Sequence, residues 1–180
     1  MKRFSLLVLL SISIGLYSQK KQQISLGSGL NNVQNRLQSV DYQVVSTNCI
    51  LALNYNYSFR NNIGLRGTVA FASFEERYFF YTGDDVSAVI NALAINIGPM
   101  YHFLINKKLD LSSGFSLGRK FRRGVSGDPY HGLPTSFYVY SINLINVKYY
   151  PFNEKIGFFG EVIIDEAYHS NYFLGLAYQF

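Results

Sequence analysis

Hydrophobic and polar positions alternate with a period of two residues along most of the chain. In the clearest run, 45–59, Val, Thr, Cys, Leu, Tyr and Phe occupy one parity, and mainly Ser, Asn and Ala occupy the other. A helix would repeat its apolar positions every three to four residues, so this pattern indicates a strand. With the other segments bounded in the same way, the sequence predicts eight strands: 23–30, 45–59, 63–74, 89–103, 109–117, 136–150, 156–164 and 172–180.

The connections between these strands fall into two classes. Short turns surround Asn61, Asn106 and Asn153, and the longer connections are 31–43, 75–86, 119–135 and 165–171. Long and short connections alternate strictly along the chain. Outer-membrane barrels have an even number of strands, short periplasmic turns and longer outer loops. The alternation therefore predicts an up-and-down meander of eight antiparallel strands, with both termini on the short-turn side.

The distribution of charge indicates which solvent the apolar side meets. Segments 45–59, 87–103 and 136–147 contain no Asp, Glu, Lys or Arg. A soluble sheet carries charged residues over about a quarter to a third of its surface. We therefore expect the apolar side to face acyl chains, which predicts an all-β, eight-stranded transmembrane β-barrel. The alternative is a soluble β-sandwich.

The amino-terminal segment indicates export. Lys2 and Arg3 precede an apolar stretch at 4–17, and Gly15 and Ser18 offer small side chains for cleavage. A helix over that stretch would rise about 21 Å, which is too short for a hydrocarbon core of about 30 Å. We expect a signal peptide at 1–18 and one barrel domain at 19–180. A retained membrane anchor is the alternative.

Composition adds three exclusions. The formal net charge is +5, and without the signal peptide 14 basic side chains face 11 acidic ones. This modest excess gives no reason to expect a nucleic-acid partner. The single cysteine, Cys49, cannot form an internal disulfide and is expected to face lipid. The three histidines lie in separate segments, so no metal site and no cofactor are expected.

Two strands depart from regular alternation. Pro99 lies inside the fourth strand and cannot donate a ladder hydrogen bond, so we expect a β-bulge at Gly98–Pro99. In the sixth strand the apolar positions change parity between Leu144 and Ile145. This change predicts a second bulge at that point.

The inward parity is expected to carry packed polar side chains, because eight strands enclose a space just wide enough for side chains. Its charged members and one histidine all lie within about six residues of a short turn, hence in the periplasmic half at about 3.3 Å per residue. They are Arg66, His102, Asp110, Lys148 and Glu161. We expect a buried charge network, since an isolated buried ion is very costly. A proton or ion path is the alternative role.

A basic cluster crowds the start of the longest connection. It consists of Arg119, Lys120, Arg122 and Arg123. At the outer rim these side chains would face the phosphate groups of lipopolysaccharide, and the guanidinium group suits phosphate well. The alternative is a solvated loop with no fixed ligand.

The run His169-Ser170-Asn171 loosely resembles the outer-membrane lipid A deacylases, whose catalytic histidine and serine lie at the outer end of a late strand. In that family one residue separates the two, so both point the same way. Here they are adjacent and would diverge, and no acidic residue follows Glu166. We therefore expect no enzyme activity, with a deacylase-like enzyme as the alternative.

Taken together, these features resemble the small outer-membrane β-barrel proteins of the porin-like and OmpA/OmpX-like superfamily, especially those of Bacteroidota. The resemblance is carried by the signal ending at Ser18-Gln19, the strand ending Pro99-Met100-Tyr101-His102-Phe103 and the terminal Phe180. It implies an outer-membrane location, contacts with outer-membrane lipids including lipopolysaccharide, and recognition of the last strand, ending at Phe180, by the barrel-assembly machinery. The function it implies is non-enzymatic, in envelope structure or in surface interactions through four outer loops. A small porin-like channel is a further alternative.

Overall fold

The computed structural model describes residues 21–32, 42–59, 62–79, 85–105, 107–126, 135–165 and 170–180. These residues form β1 (Lys21–Asn32), β2 (Tyr42–Ser58), β3 (Ile63–Phe79), β4 (Asp85–Ile105), β5 (Leu109–Ser126), β6 (Thr135–Tyr149), β7 (Ile156–Asp165) and β8 (Ser170–Gln179). Each strand pairs antiparallel with its neighbours in sequence, and β8 pairs with β1 to close one barrel. The predicted eight-stranded, all-β, up-and-down barrel is confirmed. Within the described ranges no helix is long and apolar enough to cross a membrane.

Several strands extend further towards the longer connections than the sequence predicts. β3 ends at Phe79 rather than at 74, β4 begins at Asp85 rather than at 89, and β5 ends at Ser126 rather than at 117. The added residues include charged ones, which the prediction assigns to loops. A charged side chain does not interrupt backbone pairing, so charge marks the limit of the apolar surface and not the end of a strand. The predicted signal peptide, Asn106, His131 and His169 lie outside the described residues.

Outward-facing side chains make the surface of the barrel apolar. Leu51, Leu53 and Tyr55 of β2, with Val69 and Phe71 of the adjacent β3, are each at least 40% exposed. The same alternation of exposed apolar positions and more buried inward positions continues on β1, β4, β6, β7 and β8, although the buried positions of β8 are the apolar Phe173 and Ala177. Soluble monomers rarely expose contiguous apolar patches larger than a few hundred Å². We call this surface the apolar belt.

Aromatic pairs lie at the short-turn end of the apolar belt. Near the ends of three strands that run towards this end, two aromatic residues lie two positions apart, and the rings meet edge to face with centroids 4.9, 5.3 and 5.0 Å apart: Tyr57–Phe59, Tyr101–Phe103 and Tyr178–Phe180. Aromatic side chains form such girdles where a barrel crosses the boundary between hydrocarbon and water. The pairs therefore mark one edge of the apolar belt.

Asparagine shapes two of the short turns. Asn62 adopts a positive φ of 64°, a conformation that asparagine tolerates better than most residues. In the third turn, Asn153 Oδ1 accepts hydrogen bonds from the backbone N–H groups of Lys155 and Ile156, at 2.9 and 2.7 Å. These local bonds satisfy backbone donors where the ladder ends.

The prediction of a bulge at Gly98–Pro99 is wrong. On the β5 side, Ile97 pairs with Leu117 and Met100 pairs with Gly114, so the register does not shift between them. Gly98 and Pro99 simply have no partners on β5. The missing N–H of proline removes ladder bonds at this point, and the ladder resumes without an inserted residue.

The bulge predicted near Leu144 is confirmed. The register between β6 and β7 shifts between Asn143 and Ile145. Leu144 and Ile145 are both exposed, whereas Asn143 and Asn146 on either side are both buried. The bulge therefore places two asparagine side chains inside the barrel three positions apart.

Glycines on β1 and β8 make room for one large inward side chain. Phe159 of β7 is buried, and its ring lies against Gly27 and Gly175. A Cβ atom at Gly27 would lie 2.5 Å from Phe159 Cζ, and one at Gly175 would lie 2.7 Å from Phe159 Cε1 and 2.1 Å from the carbonyl oxygen of Leu26. This packing explains why the first strand is rich in glycine and gives a weak sequence pattern.

We expect Gly175→Ala to lower the unfolding free energy of the barrel by about 1–3 kcal/mol, because the added methyl group has no free space. Denaturant titration in detergent micelles measures the change. Gly67→Ala is the matched control, since a Cβ at outward-facing Gly67 would meet nothing within 4 Å. Its stability should be unchanged or raised by up to about 1 kcal/mol. Equal losses in both variants would contradict this account of the packing.

Candidate functional site

The five residues of the predicted charge network all lie inside the barrel. They come from five consecutive strands, β3 to β7, and none is more than 4% exposed: Arg66, His102, Asp110, Lys148 and Glu161. Two basic and two acidic side chains balance in charge within this set. Hydrogen bonds divide the five into two clusters, one around Glu161 and one around Asp110.

The Glu161 cluster centres on one fully partnered carboxylate. Arg66 reaches across the lumen from β3, and its Nη2 donates to Glu161 Oε1 at 2.6 Å. Asn143 and Asn146 donate from Nδ2 to Glu161 Oε2 at 3.2 and 2.5 Å. The bulge at Leu144 turns both asparagines inward, so this local irregularity of β6 completes the coordination of the carboxylate.

Neutral side chains extend the Glu161 cluster to β1. Arg66 Nε donates to Thr68 Oγ1 at 3.0 Å, and Thr68 Oγ1 donates to Asn54 Oδ1 at 2.9 Å. Asn54 Nδ2 then lies 3.4 Å from Ser25 Oγ. The cluster therefore joins five strands through a continuous row of inward-facing groups.

The Asp110 cluster lies on the same buried face. His102 Nδ1 is 2.6 Å from Asp110 Oδ1, and His102 Nε2 is 3.2 Å from Ser58 Oγ. Gln23 Nε2 donates to Asp110 Oδ2 at 3.1 Å, and Lys148 Nζ donates to Gln23 Oε1. Gln23 thus bridges the acidic and the basic side chain. The pattern of charged residues does not single out Gln23, because its side chain is neutral. Its position on the inward parity of β1 does predict that it lies inside the barrel.

Together the two clusters fill the short-turn half of the lumen. They contain residues of all eight strands, because Gln23 also lies 3.3 Å from Gln179 of β8. Gln23, Asn54, Asn146 and Lys148 have no exposed surface. Buried polar groups that satisfy one another hold a single arrangement of a core, whereas removal of one partner leaves an uncompensated charge. The hydrogen bonds of this site therefore join opposite walls of the barrel.

The basic cluster does not lie in a loop, so its predicted position is wrong. Its four residues belong to β5, where side chains alternate between the two faces of the sheet. Arg119 and Arg123 are exposed on the outward parity, whereas Lys120 and Arg122 share the inward parity and are half-buried. The strand therefore separates the four positive charges into two pairs on opposite faces.

Arg119 is held in place on the outer surface. Its Nη2 donates to Ser136 Oγ at 2.8 Å, and its guanidinium carbon lies 5.6 and 5.7 Å from the ring centroids of Phe121 and Tyr138. Aromatic contacts of this kind favour the cation and fix its orientation. Arg119 therefore presents a guanidinium group of fixed orientation on the outer surface, beside aromatic side chains.

Two predictions fall on residues that the structure does not describe. His169 lies outside the described ranges, and the side chain of Ser170 is outside them as well. The same holds for the side chain of Cys49, although its backbone belongs to β2. Within the described part of the chain, no group of three His, Cys, Asp or Glu residues is placed to hold a metal ion.

Comparison with known proteins identifies the fold. No protein-family model matches the chain, and no curated protein matches it in sequence. Among solved structures, OprG of Pseudomonas aeruginosa is 14% identical, covers 89% of this chain and 95% of its own, and has a TM-score of 0.62. Ail of Yersinia pestis is 15% identical over 91% of this chain and 100% of its own, with a TM-score of 0.55.

Neisserial surface protein A gives a third match, at 11% identity over 90% of this chain and 96% of its own, with a TM-score of 0.53. At these identities the likeness concerns the fold. The chain therefore has the fold of the small outer-membrane β-barrels, as its sequence predicts.

We expect Glu161→Ala to lower the unfolding free energy by about 3–5 kcal/mol, because Arg66 would stay buried without its partner. Urea or guanidinium titration in detergent, followed by circular dichroism, measures this loss. Glu154→Ala is the matched control: Glu154 lies 3.1 Å from Lys107 Nζ, and both side chains are more than half exposed. Removing that exposed pair should cost under about 1 kcal/mol. An unchanged midpoint for Glu161→Ala would show that the Glu161 cluster does not stabilise the barrel.

Proposed function

We propose that the chain is an integral protein of the outer membrane, whose barrel crosses the bilayer and presents its four longer connections at the cell surface. The observation that carries this proposal is the apolar belt, which surrounds a closed sheet whose interior contains a buried charge network. In hydrocarbon only helices and closed barrels satisfy all their backbone groups, and this sheet has no free edge among its described strands. The likeness to outer-membrane barrels supports the same location.

The proposed role is non-enzymatic and depends on binding at the cell surface. Hydrogen bonds between buried side chains join opposite walls in the short-turn half of the lumen, which favours a rigid support over a pore. Ail is an attachment invasion locus protein, and NspA is a surface protein. Both support a role for this fold in contacts at the surface.

Lipopolysaccharide is the partner we propose for the outer surface of the barrel. Arg119 is oriented by two rings and a hydroxyl group, and Arg123 lies four residues further along the same outward parity of β5. Charge-assisted bonds from guanidinium to phosphate are among the stronger contacts that a protein surface can make. Ail has been crystallised with the heparin analogue sucrose octasulfate, which supports polyanion binding by a barrel of this fold.

The last strand is the segment we propose for recognition by the barrel-assembly machinery. β8 exposes Tyr172, Leu174, Leu176, Tyr178 and Phe180 on one face. Before β8 pairs with β1 and closes the barrel, this row forms an apolar, aromatic face on the strand. Recognition would then depend on the same side chains that later meet lipid.

The orientation of the barrel can be tested with epitope tags in living cells. A tag inserted in the 80–84 connection should be reached by antibody on intact cells. The same tag placed after Asn153, in a short turn, should be reached only after the envelope is permeabilised. Both tagged proteins are first shown to be folded and heat-modifiable in the outer membrane, because the second insertion falls between Asn153 and the backbone N–H groups that it accepts from. Equal labelling of both on intact cells, or of neither, would contradict the proposed orientation.

Lipopolysaccharide binding can be tested with two double variants of β5. Arg119→Gln with Arg123→Gln should lower the affinity for lipopolysaccharide about fivefold or more, since two outward charges are lost. Lys120→Gln with Arg122→Gln removes the same charge from the inward parity and should have little effect. Affinity is measured by titrating the detergent-solubilised barrel with lipopolysaccharide and with its dephosphorylated form. Equal losses for both pairs, or binding that does not depend on phosphate, would contradict the proposed contact.

A further inference from the structure

The barrel interior contains a cavity on the side of the Glu161 cluster that faces the longer connections. Its volume is about 130 Å³. One wall consists of alanines that pair across three neighbouring strands: Ala52, Ala70, Ala72, Ala92 and Ala94. Since small barrels normally fill this space with side chains, the patch of alanines is what leaves the cavity open.

Three polar atoms without hydrogen-bond partners in the described chain belong to residues that line this cavity. They are Arg66 Nη1, Asn96 Oδ1 and Asn143 Oδ1. Arg66 is 4% exposed and Asn143 is 7% exposed. Native proteins rarely leave buried polar atoms unpaired. One donor and two acceptors on residues that line the cavity are therefore available to an occupant, beside the apolar wall of alanines.

The charges next to the cavity restrict the chemistry of an occupant. Lys120 and Asp165, which also line the cavity, carry opposite charges, and the guanidinium of Arg66 is matched by Glu161 at 2.6 Å. An anionic ligand would therefore meet the Glu161 carboxylate, and a cationic one would meet Arg66. A neutral hydroxyl group avoids repulsion from both charges. It can accept from Arg66 Nη1 and donate to Asn143 or Asn96 Oδ1.

The volume restricts the size of the occupant. An apolar cavity of about 150 Å³ is known to hold a benzene molecule. We propose that this cavity is a binding site for a small neutral molecule with a ring-sized apolar body and one hydroxyl group, of which phenol is the simplest example. The apolar body packs on the alanines, and the hydroxyl group completes the hydrogen bonds of Arg66 and Asn143.

The alanine methyl groups provide a direct test. Protein labelled with ¹³C at its alanine methyl groups, in detergent micelles, is titrated with phenol while methyl NMR spectra are recorded. The five cavity alanines should shift and saturate, whereas buried Ala88 and Ala177, which do not line the cavity, should not. Benzene should need about three- to tenfold higher concentration for half-saturation, because it lacks the hydroxyl group.

Three variants separate binding in the cavity from partitioning into the micelle. Gly67→Ala adds a labelled methyl group on the lipid-facing surface, where nothing lies within 4 Å, and so reports phenol dissolved in detergent. Ala70→Leu fills the cavity and should abolish the saturable shifts. Ala94→Leu does the same from the adjacent strand if Ala70→Leu fails to fold.

The proposal is overturned if the cavity methyl groups do not shift, if they shift no more than the added methyl of Gly67→Ala, or if the shifts persist in a folded cavity-filled variant. Equal half-saturation by benzene and phenol would overturn the assigned role of the polar atoms. A solvent-filled cavity without ligand affinity would give the first of these results.

Discussion

Closure of the sheet between β1 and β8 is the constraint on which the rest of the structure depends. Ten residue pairs, from Gln23–Gln179 to Asn32–Ser170, join the first strand to the last. Once the sheet is closed, backbone donors and acceptors are satisfied within it, and the outward side chains alone determine which solvent it tolerates. An apolar belt outside then requires the polar residues of the same strands to lie inside, because successive side chains alternate between the faces.

The inward side chains differ between the two halves of the barrel interior. In the short-turn half, the Glu161 and Asp110 clusters satisfy charges through direct contacts across the lumen. In the other half, the inward positions of β2, β3 and β4 include five alanines, which leave a cavity. The boundary passes through Arg66, which uses Nη2 for Glu161 and leaves Nη1 without a partner in the described chain. A single arginine thus belongs both to the stabilising cluster and to the proposed binding site.

Alternation along the chain was sufficient to predict the strands, the closed meander and the inward parity of the five network residues. The bulge at Leu144 was also predictable, because it reverses the parity of apolar residues within one strand. The partners of those residues were not predictable. Arg66 meets Glu161 across the barrel, from strands that do not pair, so their contact depends on strand tilt and register. Gln23 was missed because a neutral amide gives no charge signal.

Two predictions, the loop position of the basic cluster and the bulge at Pro99, are wrong for local reasons. The basic residues of 119–123 suggest a loop, but β5 continues through Arg119 and Arg123, because a charged side chain does not interrupt backbone pairing. At Pro99 a missing N–H suggested a bulge, yet removal of a donor requires no extra residue.

Site-directed spin labelling tests most directly whether lipid surrounds the apolar belt. Nitroxides are attached one at a time at Leu53, Val69 and Ile95, three outward positions paired across β2, β3 and β4, after replacement of Cys49 by serine. In lipid bilayers, we expect frequent collisions with oxygen and few with a water-soluble nickel chelate at all three positions, with the opposite balance at Glu154 in a short turn. Ready access of the nickel chelate to the three belt positions would contradict it.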